Sequence, residues 1–240
     1  MPRNTVKNAA AMMDRTLHGI GACVFDAYGT LFDVNSATSP FLGDLGDKAE
    51  ALNRIWREKQ LQYTWLRAAQ GKHADFWQVT GDALDFALDV LDISDPGLRR
   101  RLMDAYLTLH AYPDVSPALG RLKEAGFRLA VLSNGTPKML ASAVSSAGLA
   151  GKFGAVLSVE EAGVFKPHPR VYQLAVDRLG IASGSIAFIS SNGWDVYAAS
   201  AFGMRTVWCN RAGHKPERLP GKPGLVLPSL TELPELLSTG

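Results

Sequence analysis

The sequence has few cysteines, no long hydrophobic run and no excess of charge of one sign. Cys23 and Cys209 are the only cysteines among its 240 residues, and their wide separation excludes a disulfide scaffold or a Cys-x-x-Cys metal or redox site. No stretch approaches the roughly 18 consecutive apolar residues that a transmembrane helix requires, so we expect no membrane partner. The 25 basic and 23 acidic residues give a net charge of +2 without any basic block, and we therefore expect no nucleic-acid partner.

Residues 1–20 lack the pattern of a secretory signal. Their apolar patch, Ala9 to Met13, is interrupted by Asp14, whereas a signal needs an apolar core of roughly 7 to 15 residues. We expect residues 1–20 to form an N-terminal extension. The small number and wide separation of the cysteines suit a reducing compartment, and we place the protein in the cytoplasm.

From Gly21 onward, apolar runs of strand length alternate with helical stretches. The runs are rich in Val, Ile, Leu and Phe, which is typical of parallel strands buried on both faces. This alternation predicts an α/β fold with a doubly wound, Rossmann-like parallel sheet. The predicted strands are Ala22–Phe25, Phe127–Leu132, Ala155–Val159, Ile186–Ile189 and Thr206–Trp208, and the predicted helices between them are Pro117–Ala125, Pro137–Ala147, Pro169–Leu179 and Trp194–Phe202.

The segment between the first two predicted strands contains apolar residues at helical spacing. These patterns predict helices over Leu45–Ala69, Asp75–Leu91 and Pro96–His110. A structureless loop of this length is implausible inside a compact domain. We therefore predict a helical cap subdomain over residues 36–111, inserted into a core domain of residues 21–35 and 112–240.

Polar side chains follow four of the predicted strands. In open parallel sheets, ligands bind beyond the carboxyl ends of the strands, where the strand order reverses. Two carboxylates, several hydroxyl and amide groups and one lysine should therefore meet at this edge. The residues are Asp26 and Thr30, then Ser133 and Asn134, then Lys166, and finally Ser190, Asn192 and Asp195.

Four separated motifs resemble those of the haloacid dehalogenase superfamily, and most closely those of its (S)-2-haloacid dehalogenases. The resemblance covers roughly Gly21 to Asn210 and includes a cap segment around Arg57. The motifs are Asp26-x-Tyr28-Gly29-Thr30, Leu132-Ser133-Asn134-Gly135, Lys166-Pro167 and Ser190-Ser191-Asn192-x-Trp194-Asp195.

Two residues distinguish the dehalogenases from the phosphatases of this superfamily. Phosphatases of this superfamily have the motif Asp-x-Asp, in which the second Asp protonates a leaving alkoxide. This chain has Tyr28 at the second position. A halide leaves without a proton, so no general acid is needed. Ser191 replaces a carboxylate that would help to hold Mg²⁺ in a phosphatase. Both departures favour a site without metal or cofactor.

The resemblance implies hydrolysis of (S)-2-haloacids to (R)-2-hydroxyacids and halide, with inversion at C2 and an aspartyl-ester intermediate. Asp26 would be the nucleophile, oriented by Thr30, and Arg57 would stabilise the departing halide. Asp195 would activate water placed by Lys166 and Asn192. The other residues of the catalytic set are Ser133, Ser190 and Tyr172. We expect Ser133, Asn134, Ala27 and Tyr28 around the substrate carboxylate, and Tyr28, Leu61, Phe76 and Trp194 along its alkyl group.

The resemblance also implies a homodimer, a 2-haloalkanoic acid as the partner and a halide as a product. Glu58 departs from it, because an uncharged residue is expected there. Three alternatives stay open at this point. They are a phosphomonoesterase of the same fold, a non-catalytic binding protein on this scaffold, and a related hydrolase that opens a small strained-ring acid.

Overall fold

A six-stranded parallel sheet forms the centre of the molecule in the computed structural model, which describes residues 16–238. The spatial order of the strands is β3-β2-β1-β4-β5-β6, and each neighbouring pair is parallel. The predicted doubly wound α/β fold is therefore confirmed. The strands are β1 (Ala22–Phe25), β2 (Arg128–Ser133), β3 (Ala155–Ser158), β4 (Ile186–Ser190), β5 (Arg205–Cys209) and β6 (Leu225–Leu227).

Strand β1 lies between β2 and β4, and every residue of β1 and β4 is buried. This burial explains their continuous apolar sequences, because both faces of each strand are covered. After β1 the chain builds β2 and β3 on one side, and it then crosses back to build β4, β5 and β6 on the other. The strand order thus reverses beside β1, which is where ligands bind in such sheets.

Strand β6 was not predicted from the sequence. It has three residues at the edge of the sheet, and Val226 at its centre is exposed, so it lacks the continuous apolar pattern. For the other strands, no predicted end differs from the observed end by more than one residue. Ser133 and Ser190, expected just beyond their strands, are the last residues of β2 and β4.

Helices cover the sheet and build the inserted segment. Several begin at a side-chain cap: Asp75 accepts from Gln78 N, and Thr136 accepts from Met139 N. Such caps satisfy backbone donors that have no partner within the helix. The helices are α1 (Leu42–Leu45), α2 (Ala49–Gln70), α3 (Phe76–Val90), α4 (Pro96–Tyr106), α5 (Val115–Glu124), α6 (Pro137–Ser146), α7 (Pro169–Leu179) and α8 (Gly193–Phe202).

The chain leaves the core and returns to it through two paired segments. Phe32 and Ala111 form an antiparallel bridge, and Tyr112 N donates to Leu31 O at 3.0 Å. This pairing also explains why α4 ends at Tyr106 rather than at the predicted His110, because the following residues pair with the outgoing segment. We propose these two segments as the boundary between cap and core.

Of the expected N-terminal extension, residues 1–15 lie outside the described residues. Leu17 forms a parallel bridge with Leu237, and Ile20 N donates to Ser238 O at 3.1 Å. Residues 16–20 are thus bound to the C-terminal segment. None of the described helices is long and apolar enough to span a membrane.

Candidate active site

Asp26 is the first residue after β1, at the carboxyl edge of the sheet. Its backbone N–H donates to Ile189 O at 2.9 Å and extends the pairing with β4. The chain then turns sharply: the Ala27 carbonyl accepts from three following N–H groups, including that of Thr30. Gly29 has a φ of +88°, a conformation that side chains with a Cβ rarely adopt. This turn brings Thr30 back beside the Asp26 carboxylate.

The two oxygens of the Asp26 carboxylate have different surroundings. Oδ2 accepts from Asn192 Nδ2 at 2.8 Å, from Thr30 Oγ1 at 2.9 Å and from Ser190 Oγ at 3.3 Å. Oδ1 accepts only from Lys166 Nζ, at 3.1 Å, among the described residues. Oδ2 therefore accepts three hydrogen bonds. Oδ1 accepts one, and it is the oxygen that is more available to a further partner.

Lys166 lies between the two carboxylates predicted for the site. Its Nζ donates to Asp26 Oδ1 and, at 2.8 Å, to Asp195 Oδ2. All three side chains are buried, so these contacts are shielded from water. Asn134 Oδ1 accepts from Lys166 N at 3.0 Å, and Tyr172 donates to Asp195 Oδ1 at 2.7 Å.

Burial and neighbouring charges set the ionisation of this group of side chains. Burial raises the pKa of Asp195 to about 6, with Lys166 opposing and Asp26 adding to the rise. Burial lowers the pKa of Lys166, but the charges and hydrogen bonds of Asp195 and Asp26 outweigh burial and leave it above its ordinary value. Burial, followed by the Asp195 charge, raises the pKa of Tyr172 well above its ordinary value. Lys166 is therefore a cation, and Tyr172 a neutral donor, at neutral pH.

Unused hydrogen-bond donors lie beside Asp26. The backbone N–H groups of Ala27 and Tyr28 have no acceptor within residues 16–238, and neither does Asn134 Nδ2. Ser133 Oγ accepts from Gly135 N at 3.2 Å, which leaves its own proton available. These donors form a set suited to a carboxylate.

The cap contributes Arg57 to the site. Arg57 Nη2 donates to Tyr28 O and to Asn192 Oδ1, both at 3.3 Å. Arg57 also lines a cleft of about 910 Å³ between cap and core. Glu58, whose side chain is 64% exposed, pairs with Arg54 at 3.7 Å and also lines this cleft. Its charge therefore faces solvent and the Arg54 guanidinium.

Aromatic rings close the site on the cap side. The Tyr28 ring lies 5.4 Å from Tyr106 and 5.6 Å from Phe76, and Phe76 also contacts Phe165. A Cβ on Gly135 would lie 2.8 Å from the Tyr28 ring, so only glycine leaves room for the ring there. Tyr28 and Phe76, both predicted to line the site, are therefore in contact.

The two other predicted apolar residues lie elsewhere around the site. Leu61 is half-buried on α2, one turn beyond Arg57. Trp194 packs edge-on against Trp65 of the cap, at 5.4 Å, and lines a second, apolar cavity of about 890 Å³. The structure thus brings Trp194 together with the cap helix α2 rather than with Tyr28 and Phe76.

Sequence reasoning missed two sets of contacts. Gln60 accepts hydrogen bonds from both Arg57 and Tyr106 within the cap. Its position one turn after Arg57 on the same helix could have indicated the contact with Arg57. His73 of the cap lies 2.9 Å from Glu160 of the core, a pairing that no sequence pattern indicates. Within residues 16–238, no group of three or more His, Cys, Asp or Glu side chains is arranged to hold a metal ion.

The sequence of the chain matches a known family. A family model described as haloacid dehalogenase-like hydrolase matches residues 20–203. The chain belongs to this family. (S)-2-haloacid dehalogenase 1 of Pseudomonas sp. strain CBS-3 is 48% identical to the chain over 220 residues, which cover 91% of the chain and 96% of the relative. (S)-2-haloacid dehalogenase 4A of Burkholderia cepacia is 47% identical over 197 residues, covering 82% and 85%.

A solved structure shares the fold over nearly the whole chain. It is L-2-haloacid dehalogenase from Xanthobacter autotrophicus with chloropropionic acid covalently bound, and it is 38% identical with a TM-score of 0.85. The match covers 90% of this chain and 98% of that structure. The resemblance inferred from the sequence motifs to a haloacid dehalogenase-like hydrolase, and most closely to the (S)-2-haloacid dehalogenases, is therefore confirmed.

Proposed function

We propose that this haloacid dehalogenase-like hydrolase converts (S)-2-haloacids to (R)-2-hydroxyacids and halide. The observation that carries the proposal is the Asp26 carboxylate, which faces Lys166 at one oxygen, is held by three donors at the other, and has Tyr28 beside it where an acid would serve a phosphatase. The named (S)-2-haloacid dehalogenases at 47–48% identity support the same reaction.

In the first step, Asp26 Oδ1 attacks C2 of the substrate. A C2–oxygen bond forms, the carbon–halogen bond breaks, and the halide leaves with the bonding electron pair. The attack comes opposite the halogen, so the configuration at C2 inverts. Arg57, the cationic group of the cap, stabilises the departing halide.

The substrate carboxylate takes the unused donors beside Asp26. These are the N–H groups of Ala27 and Tyr28, the Ser133 hydroxyl and Asn134 Nδ2. With the carboxylate and the halide held on different sides of C2, only one enantiomer presents C2 to Asp26. Tyr28, Phe76 and Leu61 provide apolar surface for the alkyl group, and Trp194 lies farther out, against Trp65.

In the second step, water attacks the carbonyl carbon of the Asp26 ester. Asp195 accepts a proton from this water, the acyl carbon–oxygen bond of Asp26 breaks, and the departing alkoxide takes that proton from Asp195. The 2-hydroxyacid then leaves with C2 untouched, and the new Asp26 carboxyl loses its remaining proton to solvent. The ester carbonyl oxygen is the former Oδ2. Thr30, Ser190 and Asn192 already donate to it, so they form an oxyanion hole for the tetrahedral intermediate. Tyr172 and Lys166 hold Asp195 in place.

Chloride release from the two enantiomers of 2-chloropropionate tests the proposal. We expect rapid release from the (S) substrate, poor release from the (R) substrate, (R)-lactate by chiral chromatography and no effect of EDTA. Matched reactions with Asp26→Asn provide the background. Lactate of retained configuration would contradict the single displacement. Turnover of p-nitrophenyl phosphate with Mg²⁺, without halide release, would favour the phosphomonoesterase instead.

We further propose that the protein is a homodimer, which the resemblance to the (S)-2-haloacid dehalogenases implies, and that it is cytoplasmic, which its two separated cysteines suit. Light scattering after gel filtration measures the mass against the 25.8 kDa of one chain. A monomer at micromolar concentration would contradict the dimer, and cell fractionation tests the location.

A further inference from the structure

A buried hydrogen-bond network in the cap holds the side chain of Arg57. Arg57 Nη1 donates to Gln60 Oε1 at 2.8 Å, which is shorter than its two 3.3 Å contacts with core residues. Gln60 is only 1% exposed, and Thr80 and Tyr106 beside it are also buried. An unpaired amide at such a depth would be costly, so the hydrogen bonds of Gln60 determine how its amide is oriented.

The orientation of the Gln60 amide follows from the donors and acceptors around it. Thr80 Oγ1 donates its one proton to Phe76 O at 2.6 Å. Thr80 can therefore only accept from Gln60, and the Gln60 Nε2 group lies 2.8 Å from it. The carbonyl oxygen must then face Arg57 and Tyr106, whose hydroxyl donates to it at 3.1 Å.

The network is anchored to three helices of the cap. Gln60 lies on α2, Thr80 on α3 and Tyr106 at the end of α4. Trp56, one residue before Arg57, donates through Nε1 to Thr80 O at 2.9 Å and ties α2 to α3. Gln60 is thus held between three helices, and its hydrogen bond to Arg57 fixes the position of the guanidinium.

The partner of Arg57 is neutral, which matters for an anion site. Within residues 16–238, Arg57 makes no ion pair with a carboxylate, in contrast to Arg67, Arg99 and Arg211. A carbonyl oxygen orients the guanidinium without neutralising it. The full positive charge then remains for an anion arriving from the core side.

We propose that Gln60 is a positioning residue that aims Arg57 at the leaving halide and keeps its charge uncompensated. This inference rests on the proposed dehalogenation and extends it to a residue of the cap that touches no reacting atom. Thr80 acts one step further away, by fixing which end of the Gln60 amide faces Arg57.

The experiment measures the single-turnover rate of halide release for three variants. Gln60→Glu keeps the shape but adds a charge, Gln60→Met removes the acceptor, and Thr80→Val lets the amide turn. Gln62→Met, an exposed glutamine on the same helix, is the matched control. With (S)-2-chloropropionate we expect both Gln60 variants to lose about 10²-fold in rate, the scale of a misplaced catalytic group, and Thr80→Val to lose less.

Two readouts separate positioning from a structural role. The loss should be smaller with (S)-2-bromopropionate, because bromide is a better leaving group and depends less on Arg57. In addition, Gln60→Glu should weaken chloride binding, measured by the broadening of the ³⁵Cl resonance, at unchanged thermal unfolding temperature. Thr80→Val covers the case in which a Gln60 variant fails to fold.

Wild-type rates in the Gln60 variants, or equal losses with the chloro and bromo substrates, would overturn the proposal for Gln60. Absence of halide release by the wild type would instead overturn the proposed function. In that case ³⁵Cl broadening alone decides the role of Gln60, and equal broadening by wild type and Gln60→Glu would reject it.

Discussion

Removal of Lys166 should destabilise the protein in a pH-dependent way. Lys166 Nζ lies 3.1 Å from Asp26 and 2.8 Å from Asp195, and all three side chains are buried. Lys166→Met keeps most of the volume but leaves two carboxylates without their cation. Removal of one partner from a buried ion pair typically costs about 3–5 kcal/mol. That is a large part of the roughly 5–15 kcal/mol that stabilises a typical domain.

The pH dependence follows from Asp195. Its pKa is already raised to about 6 by burial, and loss of the Lys166 charge raises it further. Between its unfolded and folded pKa values, a carboxyl with a raised folded pKa keeps a proton that the unfolded state has lost. The folded state is therefore progressively destabilised as pH rises from the unfolded pKa to the folded one. Each further unit of pKa adds about 1.4 kcal/mol to the deficit at high pH. The deficit of Lys166→Met should therefore be greater at pH 8.5 than at pH 5.

Equilibrium unfolding in urea, followed by tryptophan fluorescence and circular dichroism, measures this deficit. Lys138→Met, at an exposed lysine of α6, serves as the control and should change the unfolding free energy little. Adding Asp195→Asn to Lys166→Met removes one of the facing charges and should abolish most of the pH dependence. A deficit below about 1 kcal/mol at pH 8.5, or one that does not change with pH, would refute the reasoning, since it falls below the range for buried pairs.

Three further predictions concern the reaction itself. Asp26→Asn should abolish turnover without unfolding the protein. A single turnover of the wild type in H₂¹⁸O should place the label in Asp26 first. Label found in the hydroxyacid during that first turnover would exclude the ester. The hydrolytic step should slow as pH falls below about 6, because Asp195 must be unprotonated to accept a proton from water and the ester lacks the Asp26 charge that adds to its raised pKa; rapid-quench rates that are flat from pH 4 to 8 would contradict this. Thr30→Val should slow ester hydrolysis by about 10²–10³-fold, the usual cost of one oxyanion-hole donor, so that the ester accumulates in mass spectra. Thr30→Ser, which keeps the hydroxyl, should hydrolyse the ester at a near-normal rate, and equal ester accumulation in the two variants would reject the role of the hydroxyl.

The sheet could be predicted from the sequence because its strands carry a strong local signal. β1 and β4 contain continuous apolar runs, and the polar residue after each run, Asp26 or Ser190, lies within one residue of the end of the strand. β6 carries no such signal, since an edge strand of three residues with an exposed centre resembles a loop. The end of α4 was misjudged for a different reason. The residues after Tyr106 have helical spacing, but their pairing with the segment around Phe32 takes precedence.

The site separates in the same way into local and tertiary contributions. Asp26, Lys166 and Asp195 follow strands or their loops, so the topology alone predicts that they meet. Contacts between helices of the cap cannot be predicted like this. Gln60 meets Thr80 and Tyr106 only because α2, α3 and α4 pack at one particular register. A periodic pattern indicates which face of a helix is buried but not which residue it meets.

The charges of the site explain why one lysine and one arginine suffice for both proposed steps. Before the substrate binds, Lys166 and Arg57 balance Asp26 and Asp195, and the substrate carboxylate then adds one negative charge. Ester formation removes the charge of Asp26 as the halide carries one away, so the site becomes neutral again. Lys166 then has Asp195 as its single charged partner, at 2.8 Å. Water attack creates a new negative charge on the former Oδ2, where three donors are already in place. Each step thus develops its charge beside groups that are oriented in advance, which avoids the cost of reorganisation during the reaction.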